Sequence, residues 1–284
     1  MDSSKFLIVG ANGQLGKALQ KQYPDAKAVD SESLNISDMK SFLAIDWPNI
    51  THVLNAAAYT NVDGAQSHEG RVIAWQVNSV GVGNLAKICK KYGITLIHIS
   101  SEYVFDGTNV NHTEYEAFSP LSVYGSTKAS GDLLAQTTDK YYILRTSWLI
   151  GDGNNFARTM MDLAQKNISP TVVHDQVGRL TFTSELVRVI NHALTNNLEF
   201  GTYNVSNSGE SASWADVTRA IFTALGREDL QVTNTTTAEY FAGKASIAPR
   251  PLQSTLDLTK IQSTGFQSTD WKTELVKYIK GDTN

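Results

Sequence analysis

The stretch Gly10-Ala-Asn-Gly-Gln-Leu-Gly16 directly follows the apolar run Phe6-Leu-Ile-Val9 and opens a helical pattern. Gly10 permits a tight turn, Gly13 lets the backbone approach a pyrophosphate, and Gly16 allows the helix to pack closely on the sheet. The helix amino terminus would then direct its free N–H groups and the positive end of its dipole at phosphates. A plain strand-to-helix turn is the alternative, since the spacing is Gly-x-x-Gly-x-x-Gly. The strand before the glycines and the helix after them favour dinucleotide binding.

The rest of the chain alternates short β-branched runs with helical patterns. Helices are predicted over residues 15–23, where Pro24 follows, and over residues 77–92, where Gly93 follows. Apolar runs that suit strands buried on both faces lie at residues 6–9, 26–29, 52–54, 95–99 and 142–144. This alternation predicts an α/β fold with a Rossmann-like doubly wound parallel sheet, which binds ligands at the carboxyl ends of its strands.

The chain of 284 residues is long enough for one large domain or two unequal ones. We expect a dinucleotide-binding Rossmann domain over residues 1–147 that also takes in parts of 175–206. Residues 148–174 and 207–284 are expected to form a smaller C-terminal α/β part that binds the substrate. In this part Ser213 begins a capped helix, and Trp214 starts the apolar stripe of that helix and is predicted to be a core residue.

Tyr124 and Lys128 stand four positions apart in Val123-Tyr-Gly-Ser-Thr-Lys-Ala129. On a helix both side chains share one face and can point into one cleft. A nearby ammonium favours the phenolate, so Lys128 is expected to lower the pKa of Tyr124 and make its proton available near neutral pH. Helix faces also carry Tyr and Lys by chance. Downstream of a dinucleotide loop, however, the pair predicts a nicotinamide-dependent reductase.

Two further segments end predicted strands at the same edge of the sheet. Asp30 can accept hydrogen bonds from ribose hydroxyls, which would favour NADH, or it can be an ordinary solvated carboxylate. Asn35 and Ile36 form a second candidate adenine contact, and nearby lysines could approach a 2′-phosphate, so the choice between NADPH and NADH stays open. The small residues Ala56-Ala-Ala58 leave room for a flat cofactor or, alternatively, serve close packing.

The segment Ser100-Ser-Glu-Tyr-Val-Phe-Asp-Gly107 follows the predicted strand at residues 95–99. This position places the Ser101 hydroxyl at the mouth of the sheet, where it could hydrogen-bond a substrate carbonyl. The alternative is that Ser101 caps a turn, as serines commonly do.

Composition excludes several classes of protein. Apolar residues make up 41% and charged residues 18%, which is ordinary for a globular protein. The net charge of −4 gives no basic surface for nucleic acid, and no apolar run approaches the roughly 18 residues that span a bilayer. Neither a nucleic-acid nor a membrane partner is therefore expected. The single cysteine, Cys89, suits a buried helix position in a cytoplasmic protein, and the six histidines lack metal-ligand spacing, so no metal site is expected.

Several segments with specific sequences run nearly end to end along the chain. They lie at residues 10–16, 55–63, 77–78, 100–107, 123–128, 145–148, 155–156, 175–176 and 250–257. In these segments the chain resembles the extended short-chain dehydrogenase/reductase family, and within it the dTDP-4-dehydrorhamnose reductases. The Gly-Gln-Leu-Gly loop, the Tyr-Val-Phe-Asp-Gly run and the Arg-Thr-Ser-Trp strand together separate these reductases from general sugar-nucleotide epimerases.

The resemblance implies reduction of the 4-keto group of dTDP-4-dehydro-β-L-rhamnose by NADPH or NADH, as the last step of dTDP-rhamnose biosynthesis. Tyr124 would protonate the carbonyl oxygen, Lys128 would keep the tyrosine acidic and hold the nicotinamide ribose, and Ser101 would polarise the carbonyl. The predicted cofactor-binding residues are Gly10, Asn12, Gly13, Gln14, Leu15, Gly16, Asp30, Asn35, Ile36, Ala56, Ala57, Ala58, Tyr124 and Lys128. The predicted substrate-binding residues are Ser101, Glu102, Tyr103, Trp148, Asn155, Phe156, Gln176 and Arg250.

Two of these substrate-binding predictions carry alternatives. Trp148 resembles the family's sugar-facing tryptophan, and its alternative is an ordinary core aromatic residue. Arg250 offers a guanidinium fork that matches the substrate diphosphate, and its alternative is a surface arginine.

The chain departs from the family pattern at supporting positions. Ser101-Glu102 stands where the family usually has Thr-Asp, and the acid after Lys-x-x-Gly is Asp132. Some relatives are described as binding magnesium between subunits through glutamates, and Ala18 occupies one such position. A monomer or a weak homodimer is therefore expected. A fusion to, or an association with, the preceding epimerase of the pathway stays open.

Two other functions stay open on this sequence. A sugar-nucleotide epimerase or dehydratase would share the fold, the glycine loop and the Tyr-x-x-x-Lys pair, but would retain NAD and consume none. A non-catalytic regulatory subunit of the methionine adenosyltransferase type would share the fold. The intact residues Ser101, Tyr124 and Lys128 argue against this second alternative.

Overall fold

The computed structural model describes residues 2–281. The strands are β1 (Phe6–Val9), β2 (Lys27–Val29), β3 (His52–Asn55), β4 (Thr95–Ser101), β5 (Tyr141–Thr146), β6 (Leu149–Ile150), β7 (Thr171–Val173), β8 (Val177–Gly178), β9 (Thr181–Phe182), β10 (Gly201–Val205), β11 (Ala212–Ser213) and β12 (Thr233–Thr235). The α-helices are α1 (Gln14–Gln22), α2 (His68–Trp75), α3 (Val82–Tyr92), α4 (Val123–Ala135), α5 (Phe156–Gln165), α6 (Thr183–Thr195), α7 (Trp214–Ala224), α8 (Thr237–Phe241), α9 (Thr259–Ser263) and α10 (Trp271–Lys280).

A six-stranded parallel sheet has the order β10-β5-β4-β3-β1-β2. Strand β1 pairs with β2 on one side and with β3 on the other, so the direction of the crossovers reverses at β1. Such a switch point is where doubly wound sheets bind ligands. The predicted fold class is confirmed, and the five predicted strands are β1 to β5 with ends shifted by at most two residues. Strand β10 is not among them, because its Gly201-Thr-Tyr-Asn-Val205 lacks a continuous apolar run.

Both faces of the sheet are buried, as the apolar strands predicted. Along β1, Phe6 and Ile8 pack into a core with helices α1 and α6. The alternate residues Leu7 and Val9 pack into a second core with helix α3, where Cys89 is fully buried. Side chains of a strand alternate between its two faces, so one strand contributes to both cores.

A third core lies in the C-terminal part of the chain. It joins residues of α5, α7 and α10, among them Met160, Phe222 and Trp271. The short strand pairs β6-β9, β7-β12 and β8-β11 lie in the same part. Among residues 2–281 no helix has the length and apolar character that would let it cross a membrane.

The single helix predicted over residues 77–92 is wrong at its start. A π-helical turn, Gln76–Gly81, connects α2 to α3. Two side chains explain this turn. Asn78 bonds the backbone of Tyr59, and Ile36 packs so closely on Gly81 that a Cβ there would lie 2.5 Å from it. Apolar spacing does not distinguish such a turn from α-helix, because these constraints come from distant segments.

Candidate active site

The glycine loop links the carboxyl end of β1 to the amino terminus of α1. Gly10 has a φ of +87°, and a Cβ on it would lie 2.6 Å from the backbone nitrogen of Ala57. A Cβ on Gly16 would lie 2.1 Å from the carbonyl oxygen of Gly10. Gly13 caps α1 and, within residues 2–281, no side chain bonds the first N–H groups there. Those N–H groups can therefore donate hydrogen bonds to an anion.

A cavity of about 620 Å³ lies at the carboxyl ends of the central strands. This volume suits a small-molecule ligand. The predicted residues that line it are Asn12, Gly13, Gln14, Leu15, Ala56, Ala57, Ala58, Ser101, Glu102, Tyr103, Tyr124, Lys128 and Trp148. The predicted residues outside its lining are Gly10, Gly16, Asp30, Asn35, Ile36, Asn155, Phe156, Gln176 and Arg250. The fold thus gathers segments from four strand ends around one space.

Tyr124 and Lys128 lie one turn apart on α4, and both line the cavity. Ser122 caps this helix, because its hydroxyl accepts a hydrogen bond from the Gly125 backbone N–H at 3.1 Å. Lys128 is 2% exposed, and its Nζ donates a hydrogen bond to the Ile99 carbonyl at 2.6 Å. The two side chains therefore share one face, as their spacing predicted.

The expectation that Lys128 lowers the pKa of Tyr124 is wrong for this structure. Burial raises the pKa of Tyr124 above its ordinary value, and the Glu102 carboxyl raises it further. Burial also lowers the pKa of Lys128 to about 8, and the lysine head group bonds the Ile99 carbonyl. The sequence argument included the charge of the ammonium but not the desolvation of both groups.

Ser101 and Glu102 form a hydrogen-bonded pair at the cavity wall. The Ser101 hydroxyl donates to Glu102 Oε2 at 2.6 Å and accepts from the Tyr103 backbone N–H at 3.2 Å. It therefore caps the turn Glu102–Val104, as the alternative interpretation of Ser101 expected, and it also lines the cavity. Its hydrogen bond to a substrate carbonyl stays a prediction. Glu102 is 3% exposed, and burial raises its pKa to about 7. The Ser101 side chain beside Tyr124 acts to lower the pKa of the phenol, against the effect of burial.

Trp148 stacks on Trp214 with ring centroids 3.7 Å apart, and both indoles line the cavity. Trp148 has a φ of +47°, which is rare for a bulky residue. Trp214 begins α7 and is only partly buried against the C-terminal core. The prediction that Trp214 is a core residue is thus corrected, because the first residue of a helix can contact both the core and an adjoining cavity.

The adenine-side candidates lie beyond the cavity lining. Asp30 is bound to the glycine loop, because Asn12 Nδ2 donates to its Oδ2 at 3.1 Å. Its other oxygen accepts from the backbone N–H and hydroxyl of Ser33. Asn35 is exposed, whereas Ile36 is 4% exposed and belongs to the second core.

Asn155 and Phe156 lie at the start of α5. Asn155 Oδ1 accepts from the Arg158 backbone N–H at 3.0 Å, and its Nδ2 donates to the Tyr278 hydroxyl at 2.9 Å. The Phe156 ring lies 4.3 Å from Trp214. Phe156 thus packs against Trp214 and Asn155 caps α5 beside Tyr278, and neither residue belongs to the cavity lining.

Gln176 and Arg250 are both held by other side chains. Gln176 is 6% exposed, and its Nε2 donates to Thr237 Oγ1 at 3.0 Å. Arg250 Nη2 donates to Asp63 Oδ2 at 2.7 Å, and its guanidinium lies 4.6 Å from the centre of the Phe241 ring. The sequence did not indicate this ion pair, because its members are 187 positions apart.

The sequence argument missed a set of buried polar contacts behind α4. Asn78 Oδ1 accepts from the Tyr59 backbone N–H at 2.8 Å, and its Nδ2 donates to Thr127 Oγ1 at 3.1 Å. Asp132, which is fully buried, accepts from Arg145 Nε at 3.0 Å. These bonds fix α4 on both sides of Lys128. A polar Asn within an apolar helical pattern is the signal that could have located Asn78, since buried polar groups need partners.

The chain is similar to several known proteins along nearly its whole length. The family model described as the RmlD substrate binding domain matches residues 4–283. A dTDP-4-dehydrorhamnose reductase from Aggregatibacter actinomycetemcomitans is 37% identical, covering 96% of this chain and 97% of its own. A dTDP-4-keto-6-deoxy-D-glucose reductase from Streptomyces niveus is 34% identical, covering 80% of each chain. The crystal structure of the Bacillus anthracis dTDP-4-dehydrorhamnose reductase in complex with NADP matches with a TM-score of 0.88 and 32% identity, over 98% of this chain and 99% of that one.

Proposed function

Because the chain belongs to the dTDP-4-dehydrorhamnose reductase family of NAD(P)H-dependent oxidoreductases, we propose that it reduces the 4-keto group of dTDP-4-dehydro-β-L-rhamnose. The product is then dTDP-L-rhamnose, and the reaction is the last step of dTDP-rhamnose biosynthesis. The observation that carries this proposal is the single cavity lined by Ser101, Tyr124, Lys128 and the glycine loop. A proton donor and a dinucleotide-binding loop that face one space can act on one substrate.

The residues around the glycine loop suit a nicotinamide dinucleotide. NADPH or NADH supplies the hydride for the reduction. The uncapped amino terminus of α1 and residues 12–15 would bind the pyrophosphate, and the small residues Ala56 to Ala58 would accommodate the cofactor. Asp30, bonded to Asn12, would accept hydrogen bonds from the adenosine ribose.

Three side chains would promote the chemistry at the substrate carbonyl. Tyr124 donates its proton to the oxygen that becomes the 4-hydroxyl. Lys128, which lines the cavity one helical turn from Tyr124, binds the nicotinamide ribose through its ammonium. Ser101 donates a hydrogen bond to the carbonyl oxygen and stabilises the negative charge that develops there.

The other wall of the cavity would bind the dTDP-sugar. The indoles of Trp148 and Trp214 offer apolar faces to a sugar ring or a base, and Tyr103 lines the same space. Arg250 would reach the diphosphate only if the guanidinium exchanged its bond with Asp63 for phosphate oxygens.

The experiment that tests the proposal measures oxidation of NADPH and of NADH by the purified protein. dTDP-4-dehydrorhamnose and dTDP-4-keto-6-deoxy-D-glucose are supplied separately, since one relative is named for the second sugar. We expect oxidation that depends on dTDP-4-dehydrorhamnose and yields dTDP-L-rhamnose. A preference for the second sugar would change the proposed substrate and leave the proposed ketone reduction in place.

Two other outcomes would replace the proposal. Conversion of a sugar nucleotide without net oxidation, by protein that retains NAD, would indicate an epimerase or dehydratase. The absence of turnover with either sugar and either cofactor, together with binding to a methionine adenosyltransferase, would indicate a regulatory subunit.

A further inference from the structure

The Ser101 hydroxyl has one hydrogen, and two acceptors compete for it: the Glu102 carboxyl and the substrate carbonyl. In the structure this hydrogen is donated to Glu102 Oε2 at 2.6 Å. The proposed reduction requires the same hydrogen at the substrate carbonyl. A hydroxyl can accept further hydrogen bonds but can donate only one. Ser101 can therefore polarise the carbonyl only if Glu102 no longer takes its hydrogen.

The protonation state of Glu102 decides whether it accepts the Ser101 hydrogen, and its environment determines that state. The side chain is 3% exposed and lines the cavity. Among the described residues its carboxylate has no ion-pair partner, and the Ser101 hydroxyl is its hydrogen-bonding side chain. Burial raises the pKa of Glu102 to about 7, so its protonated and ionised forms both exist near neutral pH.

Several other ionisable groups face this carboxyl. Tyr103 follows it in the chain, helix α4 presents Tyr124, and Lys128 lines the same cavity. The Asp132 carboxyl, also on α4, acts on Tyr124 and Lys128. The Lys128 head group is engaged with the Ile99 carbonyl. On the far side of Tyr103, the ion pair of Asp63 and Arg250 completes the surroundings.

We propose that Glu102 is a positioning residue that acts in its protonated form. Its carboxylic acid donates a hydrogen bond to the Ser101 oxygen, which releases the Ser101 hydrogen to the substrate carbonyl. This inference rests on the proposed reductase function. Glu102 keeps its proton throughout, because the hydroxyl proton of the product comes from Tyr124 and the hydride comes from the cofactor.

The same protonation assists Tyr124. An ionised Glu102 opposes a second negative charge beside it and raises the pKa of the phenol. Protonation of Glu102 removes that charge, so Tyr124 gives up its proton more readily. Both effects have the same sign, and the reductase is most active when Glu102 is protonated. A buried carboxylic acid that stays neutral in order to donate a hydrogen bond has precedent in other enzymes.

The test compares the pH dependence of kcat in the wild type and in Glu102→Gln, with saturating cofactor and sugar nucleotide. The amide of the variant donates to Ser101 at every pH. We expect wild-type kcat to fall about tenfold per pH unit above about pH 7, and the variant to lack that fall. Glu69→Gln, on an exposed position of α2, is the matched control and should keep the wild-type profile. Loss of the Lys128 charge would lower kcat only above about pH 8, in the variants as well as in the wild type, so the difference between profiles between about pH 7 and about pH 8 reports Glu102.

A second measurement does not depend on turnover. Infrared difference spectra of wild type against Glu102→Gln should show the C=O stretch of a protonated carboxyl, which disappears as pH rises through about 7. In Ser101→Ala the pH dependence assigned to Glu102 should weaken along with turnover, because the hydroxyl that transmits it is missing.

Three results would overturn the inference. The first is the same fall of kcat above neutral pH in Glu102→Gln and in the wild type. The second is an infrared signature of an ionised Glu102 at every pH. The third is a wild type without reductase activity at any pH, which would remove the proposed function itself. The first two can occur in an active reductase, so they remove only the role of Glu102.

Discussion

The glycine loop and the wall formed by Ser101, Glu102 and Tyr124 line the same cavity, but different physical effects determine their properties. Residues 10–16 contain no ionisable side chain, and the loop positions backbone groups through a positive φ and close contacts. The wall consists of buried side chains whose pKa values burial has shifted. The loop should therefore respond to added volume and not to pH, whereas the wall should respond to charge and to pH.

Substitution of Tyr124, the proposed proton donor, should have the largest effect. Tyr124→Phe removes the hydroxyl without changing the ring, so kcat should fall about 100-fold to 10,000-fold, as expected for loss of a general acid. Binding of NADPH, measured by calorimetry, should persist because the glycine loop is intact. Tyr142→Phe is the control: its hydroxyl bonds the Leu198 carbonyl away from the cavity, and turnover should be retained. Equal turnover in Tyr124→Phe and wild type would remove Tyr124 from the mechanism.

The second prediction concerns stability at the wall. The pKa of Glu102 is raised from 4.5 to about 7 on folding, so between these values the native state binds more protons than the unfolded state. The free energy of unfolding therefore falls as pH rises through this window. Glu102→Gln removes this penalty, which is on the order of 3 kcal/mol, since one pKa unit corresponds to about 1.4 kcal/mol.

Urea denaturation of both proteins at about pH 5 and about pH 8 checks this prediction. The variant should gain stability relative to wild type on going from the lower to the higher pH. If the difference in the free energy of unfolding between the two proteins does not change with pH, Glu102 has an ordinary pKa. The wall would then resemble the loop, whose stability is not expected to depend on pH.

The third prediction contrasts two glycines with positive φ. Gly10→Ala combines backbone strain with a contact 2.6 Å from the Ala57 nitrogen, whereas at Gly93, with φ of +67°, no atom lies within 4 Å of the new Cβ. Gly93→Ala should lower the free energy of unfolding by about 1 kcal/mol through backbone strain alone. Gly10→Ala should lower it by about 1–3 kcal/mol or more and should also weaken the binding of NADPH. Thermal unfolding and cofactor titration measure these effects. Equal losses in the two variants would show that the contact with Ala57 carries no constraint.

The smallest predicted effect lies at the tryptophan pair. Trp214→Leu removes the stacking partner of Trp148, an interaction worth roughly 0.5–1.5 kcal/mol. The KM for the sugar nucleotide should rise about tenfold, while the KM for NADPH stays the same. Trp75→Leu, at a half-exposed position of α2, is the control and should change neither constant. A change in the NADPH constant alone would assign Trp214 to the cofactor side.

Local spacing was sufficient for much of the site. Gly10, Gly13 and Gly16 belong to one strand-to-helix connection, and Tyr124 and Lys128 lie one turn apart on α4, so the spacing within each group follows from local structure. The five strands β1 to β5 could be predicted because each is a continuous apolar run. Their assembly at one edge of the sheet follows from the parallel topology.

Contacts between distant segments could not be predicted from local sequence spacing. The bond between Asn78 and Thr127 spans 49 positions and accompanies a π-helical turn that apolar spacing does not reveal. Arg250, which the sequence predicted as a ligand of the substrate diphosphate, forms an ion pair with Asp63, 187 positions away. Trp214 lies at a helix start, where the same spacing is compatible with core and with cavity.

The amino-acid sequence alone determined the doubly wound α/β fold, the dinucleotide loop and the helical face shared by Tyr124 and Lys128, because these depend on steric rules and on neighbours a few residues away. The tertiary structure decided the direction in which the pKa values of Glu102, Tyr124 and Lys128 shift. Desolvation of Glu102, Tyr124 and Lys128 depends on every element packed around them, and it outweighs the charge of the one neighbour that the motif supplies.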